Sequence, residues 1–434
     1  MPHSADRFSA FVRRARAAGR LVVQPRMGFG DLGRMRAGLR AVRGARATTA
    51  GTITLDSYTR CHDYAAARRA LRDRPADLNG FPLLAHGPAA VRRLLAETAA
   101  PDFPVQLRHG TALPLRLLRA VAAAGIDATE GGPVSYCLPY SRTPLAAAVR
   151  EWRAGCELLA GQPVPPHLET FGGCMLGQLC PPSLLVALSV LEGMFFREHG
   201  LTGISLSYAQ QVHPGQDLEA LAALRRLAAE RLPGTDRHVV LYTYMGVFPR
   251  TPIGSYRLLE HSVRLAVRGG AERLVVKTPA ESRRIPTVEE NVEALEFAHA
   301  VAEAAARPDT AAGPRPTATG LYEEAGTLVD ATLALADTVG DALVAAFARG
   351  VLDVPYCLHP GNAGRARAAV DPYGMLRWTE AGAMPVTTAP AGGPAAPVTP
   401  LTARGLGEML SFNERRYDRE DLTGTARPLH GYAS

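Results

Sequence analysis

The order of apolar runs constrains this chain more than any other feature. From residue 20 onward, short β-branched or apolar runs alternate with Ala/Leu/Arg-rich segments of helical period. The runs are RLVVQPR (20–26), TITLDSYTR (52–60), GFPLLAHG (80–87), PVQLRHGT (104–111), GIDATEGG (125–132), PHLETFGG (166–173), GISLSYAQ (203–210), HVVLYTYMG (238–246) and RLVVKTP (273–279). Between them lie segments such as DLEALAALRRLAAERL (217–232), which follows a polar cap and repeats its apolar residues at helical spacing. Such alternation builds a parallel sheet covered on both faces. Nine runs in succession fit a closed (β/α)8 barrel with one run miscounted better than they fit an open sheet.

After the last run, AAARPDTAAGPRPTATG (304–320) reads as a loop and TLVDATLALADTVGDALVAAFARG as a helical region. TTAPAGGPAAPVTPLTARG has no periodicity. The expected organisation is a catalytic α/β barrel over residues 1–310 and an appended, partly helical lobe or lid over 320–434.

Composition removes several classes of function. The net charge is +7, but the arginines are scattered among acids, with no basic block and interleaved aromatics of the kind that tracks nucleic acid. The six cysteines form no CxxC pair and no zinc spacing, which predicts free thiols. The N-terminal residues lack the apolar core of a signal peptide, and PSLLVALSVLEGMFF is too short to span a bilayer and contains Glu192. A cytoplasmic protein without membrane contact is the expectation.

In a parallel barrel the site lies at the C-terminal ends of the strands. Arg26, Arg60 and Arg108 end three of the runs, Lys277 ends the last, and Glu130 is followed by GGPVSYCLPY with Tyr136 and Tyr140. Three guanidinium groups converging on one cavity repel one another unless an anion sits between them. A small dicarboxylate meets that demand, because each carboxylate accepts a bidentate arginine. Glu130 would then accept from an ammonium on the same molecule, so the charge pattern points to an acidic amino acid. Lys277 is the only lysine in a chain with 48 cationic Lys and Arg residues. A site that has room for a thin ammonium and none for a planar guanidinium would retain it.

The motifs QPRMG, DSYTR, LNGFP, QLRHGT, EGGPVSYCLPY, YMGVFP, VVKTPAE and GNAG occur in the order found in the epsilon (E) subunit of glutamate mutase, or methylaspartate mutase, which this sequence resembles from about residue 20 to at least 380. The resemblance implies an adenosylcobalamin-dependent isomerase. A 5′-deoxyadenosyl radical removes hydrogen from L-glutamate, and the substrate radical rearranges to that of threo-3-methyl-L-aspartate. It also implies residue roles. Arg26, Arg60, Arg108 and His109 would hold the carboxylates, Glu130 the amino group, and Tyr136 and Tyr140 would close the site, with Arg60 and Glu130 the catalytic pair. Gly28, Asn79, Pro139, Phe248, Lys277, Glu281 and Ile285 would contact the coenzyme, with Lys277 and Glu281 gripping the adenosine ribose. Base-off cobalamin proteins carry D-x-H-x-x-G, whose histidine binds cobalt. The nearest match here, DRHVVL at 236–241, lacks the glycine, so His238 reads as a core or surface histidine. A small separate subunit carrying D-x-H-x-x-G would bring the cobalamin, and a homodimer of this chain within a heterotetramer is the implied assembly.

Two departures from the family pattern stand out. FGGCMLGQLCPPS has one residue more than the family, which puts Leu176 where a threonine is found, and Tyr242 replaces the histidine of HQWMGGFP. Both are expected to bear on coenzyme handling and to leave the arginine set untouched. The alternatives are a mutase for a close glutamate analogue, a catalytically silent partner of a cobalamin subunit, and a metal-dependent barrel lyase. Against the last, no His/Asp/Glu set recurs at the run ends.

Overall fold

The computed structural model describes residues 6–174, 179–306, 315–371, 373–388 and 402–422. Leu176 and residues 423–434 lie outside them.

Eight parallel strands form the centre: β1 (Val22–Pro25), β2 (Gly51–Thr54), β3 (Val105–Arg108), β4 (Ala128–Gly131), β5 (His167–Thr170), β6 (Gly203–Ala209), β7 (Asp236–Tyr242) and β8 (Arg273–Val276). From β2 to β8 each pairs with its neighbour in sequence, and β8 pairs with β1, Val22 opposite Arg273 and Pro25 opposite Val276. Backbone bonds from Val23 N to Thr48 O (2.9 Å) and from Ala50 N to Val23 O (3.4 Å) join β1 to the start of β2. The ring is therefore closed, with helices between its strands, and the fold is a (β/α)8 barrel. β1, β3, β4, β5 and β6 are buried at every position, because crossover helices cover their outer faces.

Two expected strand segments turn out differently. GFPLLAHG is the miscounted run: Leu83–His86 form one helical turn after Pro82. A short apolar run cannot be told from a buried helical turn by period alone. The run TITLDSYTR stops being a strand at Thr54. Asp56 caps a one-turn helix, Ser57–Arg60, by accepting from Thr59 N at 2.9 Å, so Arg60 leaves a helical turn and not a strand.

The barrel interior is polar at mid-height. At its floor the helix Arg7–Ala17 plugs the N-terminal mouth, and Phe8, Phe11, Val12 and Ala15 pack on Val22, Ala50 and Ala128. Above that floor, Gln24 donates to Thr52 Oγ1 (2.8 Å) and Gln106 Oε1 (2.7 Å). Arg273, fully buried, bonds Glu169 and Gln24 and sits over the Phe8 ring. His238 is buried in this layer, stacked on His167 at 4.9 Å and accepting from Arg273 Nε at 3.4 Å.

The helices Leu321–Leu333 and Val339–Arg349 pack on the barrel helices Pro182–Glu198 and Leu145–Ala160, and their apolar residues join the main core. An antiparallel hairpin follows, β9 (Arg367–Val370) with β10 (Leu376–Glu380). The Gln216 amide pins it, donating to Leu376 O (2.9 Å) and accepting from Leu376 N (3.0 Å). All six cysteines are free, and no helix among the described residues is long and apolar enough to cross a membrane.

Candidate functional site

The arginines and Glu130 emerge at the C-terminal mouth, where the loops after β1, β2, β3 and β4 meet. Arg108, the last residue of β3, is buried. Its Nε donates to Glu130 Oε2 at 2.8 Å, and its guanidinium lies over the Tyr242 ring, 4.9 Å from the centroid. Neither Nη of Arg108 bonds to protein among the described residues. Burial lowers the Arg108 guanidinium, but the Glu130 charge, the Tyr242 and Tyr136 hydroxyls and the Glu130 hydrogen bond together outweigh it, so Arg108 is held well above the ordinary arginine range. Arg60 packs on Gly110, where an added Cβ would come 3.3 Å from its Nε; that Nε is buried without a partner. Gly110 has φ +75°, a conformation glycine adopts without strain.

Glu130 is almost fully enclosed. Its Oε1 accepts from the Tyr136 hydroxyl, and its Oε2 from Arg108 and from the Tyr242 hydroxyl at 2.7 Å. His109 is buried between Tyr136 (4.9 Å) and Trp152 (5.8 Å). Its Nδ1 accepts from Thr111 N, and its Nε2 is an orphan. Burial and the nearby Arg60 charge push its imidazole down to about 3, so it is neutral at every working pH. Tyr140 sits half-exposed on the rim, its ring 5.9 Å from that of Tyr136, with Pro139 partly buried beside it.

A second cluster forms after β1 and β8. Lys277 is buried; its Nζ donates to Tyr244 O at 3.2 Å and lies 4.7 Å from the Phe248 ring. Burial lowers it to about 8, with Glu281 opposing the shift and Arg26 adding to it. Glu281, the third residue of the helical turn Pro279–Ser282, accepts from Thr278 N at 3.4 Å and pairs with Arg26 at 2.7 Å. Arg26 thus leans toward Lys277 and Glu281 and not onto Arg108. At Gly28 a Cβ would stand 2.4 Å from Thr54 O, so any side chain there would clash with backbone. Asn79 and Ile285 are exposed on the same rim.

Among the described residues, no group of three or more His, Cys, Asp or Glu side chains is placed to hold a metal ion. The mouth is therefore organised by cations around one carboxylate, with a buried ammonium at its edge.

Known proteins are similar to this chain over most of its length. The family model of the Methylaspartate mutase E chain (MutE) matches residues 1–391. The glutamate mutase epsilon subunit of Escherichia coli O157:H7 is 30% identical over 399 residues, covering 88% of this chain and 81% of the relative. That of Desulfitobacterium hafniense is 31% identical over 406 residues, covering 89% and 82%. That of Halobacterium salinarum is 32% identical over 343 residues, covering 76% and 71%. This chain belongs to the methylaspartate mutase E chain family.

Within this family member, the structure brings Arg108, His109, Glu130, Tyr136 and Tyr140 together, and separately Arg26, Phe248, Lys277 and Glu281. One expectation fails. Tyr242 does not stand apart from the arginine set: its ring carries Arg108 and its hydroxyl binds Glu130. The physical reason is strand register. Tyr242 ends β7 with its side chain toward the barrel axis, and a phenol is long enough to reach β4 across it.

Sequence reasoning also missed Glu169, Arg273 and Glu192. Arg273 and Glu192 are charged residues in largely apolar buried elements, and that pattern was the available signal; β5, HLET, offers no such contrast for Glu169. Glu192, on the helix Pro182–Glu198, accepts from Val134 N (3.2 Å), Ser135 N (2.8 Å), Ser135 Oγ (3.0 Å), Phe171 N (3.3 Å) and Gly172 N (2.8 Å). It ties the loop carrying Tyr136 to the loop after β5.

Proposed function

We propose that this chain is the catalytic, substrate-binding subunit of an adenosylcobalamin-dependent glutamate mutase. It would interconvert L-glutamate and threo-3-methyl-L-aspartate with a small subunit carrying D-x-H-x-x-G. One observation carries the reading: in a chain of this family, buried Arg108 is oriented by Glu130 and, among the described residues, keeps both Nη groups unbonded. A buried guanidinium with unused donors is costly until an anion arrives, so the site favours a carboxylate there. Arg60, with its orphan Nε, supports a second carboxylate contact. Glu130 then takes the ammonium of the same molecule. Tyr136, Trp152 and Phe171 line the apolar side and keep water from the reacting carbons.

The residues at the rim fit a coenzyme nucleoside. Lys277 is a buried ammonium with a single hydrogen bond among the described residues, beside the carboxylate of Glu281, and both suit the diol of a ribose. Gly28 lets the loop after β1 pack directly on the Thr54 backbone beside these groups, where a Cβ would meet the Thr54 carbonyl oxygen. Asn79, Pro139 and Ile285 present a surface for the remainder. Adenosylcobalamin supplies, when bound, the carbon radical that removes hydrogen from C4 of glutamate. The cobalt would be ligated by a histidine of the small subunit, since His238 is enclosed in the barrel interior. The relatives' name, epsilon subunit, supports an enzyme of more than one kind of chain. A heterotetramer built on a homodimer of this chain is the assembly we propose.

The test is reconstitution. The purified chain with free adenosylcobalamin should form no 3-methylaspartate from L-glutamate, and adding the small subunit should start turnover. Turnover by the isolated chain would sink the two-subunit reading. A reconstituted mixture without turnover on L-glutamate would turn the search to a close analogue.

A further inference from the structure

The contacts of Tyr242 require something that the functional reading does not. Its hydroxyl lies 2.7 Å from Glu130 Oε2 and also bonds Glu169 Oε1. A phenol has one hydrogen to donate. Two carboxylates therefore compete for one donor, 73 and 112 residues away along the chain and on different strands. Neither carboxylate depends on that hydrogen alone. Glu130 has Arg108 and Tyr136, and Glu169 has Arg273 and Ser205 Oγ (3.1 Å). The ring itself is fixed, stacked edge-on against Phe171 (5.6 Å) and beneath Arg108, so the O–H bond can turn while its oxygen stays in place.

We propose that Tyr242 is a positioning residue whose hydroxyl acts as a two-position donor, bonding Glu130 when the site is empty and Glu169 when a substrate ammonium docks on Glu130. The inference rests on the reading that Glu130 receives the ammonium. In the empty site the hydroxyl keeps a buried carboxylate satisfied. On binding, rotation of one O–H bond releases a lone pair for the incoming ammonium, and Glu169, already paired with Arg273, absorbs the hydrogen bond. No proton changes owner and no covalent bond breaks. Without the switch, the ammonium would have to displace the phenol's hydrogen with nowhere for it to go. The charged and titratable groups facing Glu130 are Arg108 from β3, Tyr136 and Tyr140 from the loop after β4, Glu169 and Cys174 from β5 and the turn after it, and Tyr242 from β7. Among the described residues, Tyr242 alone of the hydrogen-bonding ones reaches a second carboxylate.

The test compares two ligands that differ only in the ammonium. Binding of L-glutamate and of glutarate to the purified chain, with its small subunit present, is measured by calorimetry at pH 8. The ratio of the glutarate Kd to the glutamate Kd reports what the ammonium contributes. In Tyr242→Phe the ring still supports Arg108, but Glu130 lacks its resident donor and needs the ammonium more. The ratio should rise several-fold above wild type. Glu169→Gln should do the reverse, because its amide donates to the Tyr242 oxygen and locks the hydroxyl onto Glu130; the ratio should fall several-fold. A purely structural role would weaken both ligands together in both variants and leave the ratio unmoved. Either an unmoved ratio or shifts of the same sign would overturn the inference. If Glu169→Gln fails to fold because Arg273 is left unpaired, an unmoved ratio in Tyr242→Phe still overturns the inference. A wild-type ratio near one would instead remove the assignment of Glu130 to the ammonium, and with it the reading on which the inference rests.

Discussion

At the scale of single residues, the mouth of the barrel depends on which cation stands where. Lys277 lies buried with Phe248 and Tyr244 around it, in a chain that uses arginine at all other cationic positions. Lys277→Arg should leave the thermal midpoint within a few degrees while displacing a bound adenosyl group. A displacement of about 1 Å in a reacting group costs on the order of 100-fold in rate. Wild-type turnover in a stable Lys277→Arg protein would reduce the lone lysine to an accident of composition.

The same lysine sets a pH limit. Its value in the folded protein, about 8, lies below the ordinary 10.5, so between those values the unfolded chain binds a proton that the folded chain does not. Folding stability from this group therefore rises with pH across that window, whereas its grip on a ribose or an anion is fully present only below about 8. Coenzyme affinity of the reconstituted wild type should decline above pH 8 while thermal stability does not fall in parallel. In Lys277→Arg the decline should be absent. For the substrate arginines, Arg60→Ala and Arg108→Ala should each lower kcat/KM by roughly 2–4 kcal/mol in activation free energy, the worth of a charge-assisted bidentate contact and the desolvation of an unpaired carboxylate. Arg60→Lys should recover little of it, because a point charge does not reproduce the fork.

At the scale of elements, two loops hold the substrate side and one carboxylate holds the loops. Glu192 accepts four backbone N–H groups and one hydroxyl, and the helix that carries it leaves no space at Gly132, where a Cβ would meet its carboxyl carbon. Glu192→Gln replaces an acceptor oxygen by an N–H₂ that points at other donors. Each buried donor left unsatisfied costs about 1–3 kcal/mol. The variant should lose roughly 3 kcal/mol in chemical denaturation, and it should raise the KM for L-glutamate because Tyr136 shifts with its loop. Wild-type stability in Glu192→Gln would show that the loops hold themselves.

At the scale of the whole molecule, the helix Arg7–Ala17 closes the barrel floor, and Phe8 is the side chain under Arg273 and the two stacked histidines. Phe8→Ala leaves a cavity against a buried charge. Large-to-small aromatic changes in cores cost about 3–5 kcal/mol, and the thermal midpoint should drop accordingly. Because Arg273 binds Glu169, and Glu169 shares the Tyr242 hydroxyl with Glu130, the variant should also weaken L-glutamate binding at a site on the opposite mouth. Loss of stability with unchanged binding would separate the floor from the mouth.

What the sequence by itself determined was local or periodic. Alternating strand and helix patterns fixed a parallel sheet with covered faces, and the number of such runs in succession favoured its closure into a barrel. Charged residues at run ends marked Arg26, Arg60, Arg108, Glu130 and Lys277, because in a parallel barrel position along a strand already states which mouth a residue faces. Chain order could not state which of these meet across the axis. That Arg26 pairs with Glu281, 255 residues on, follows from the closure of β1 on β8. That Tyr242 reaches Glu130 and Glu169 follows from the stagger of β4, β5 and β7 around a narrow interior. Hydrogen bonds act over about 3 Å, and only the closed tertiary structure sets distances that short between strands so far apart in sequence.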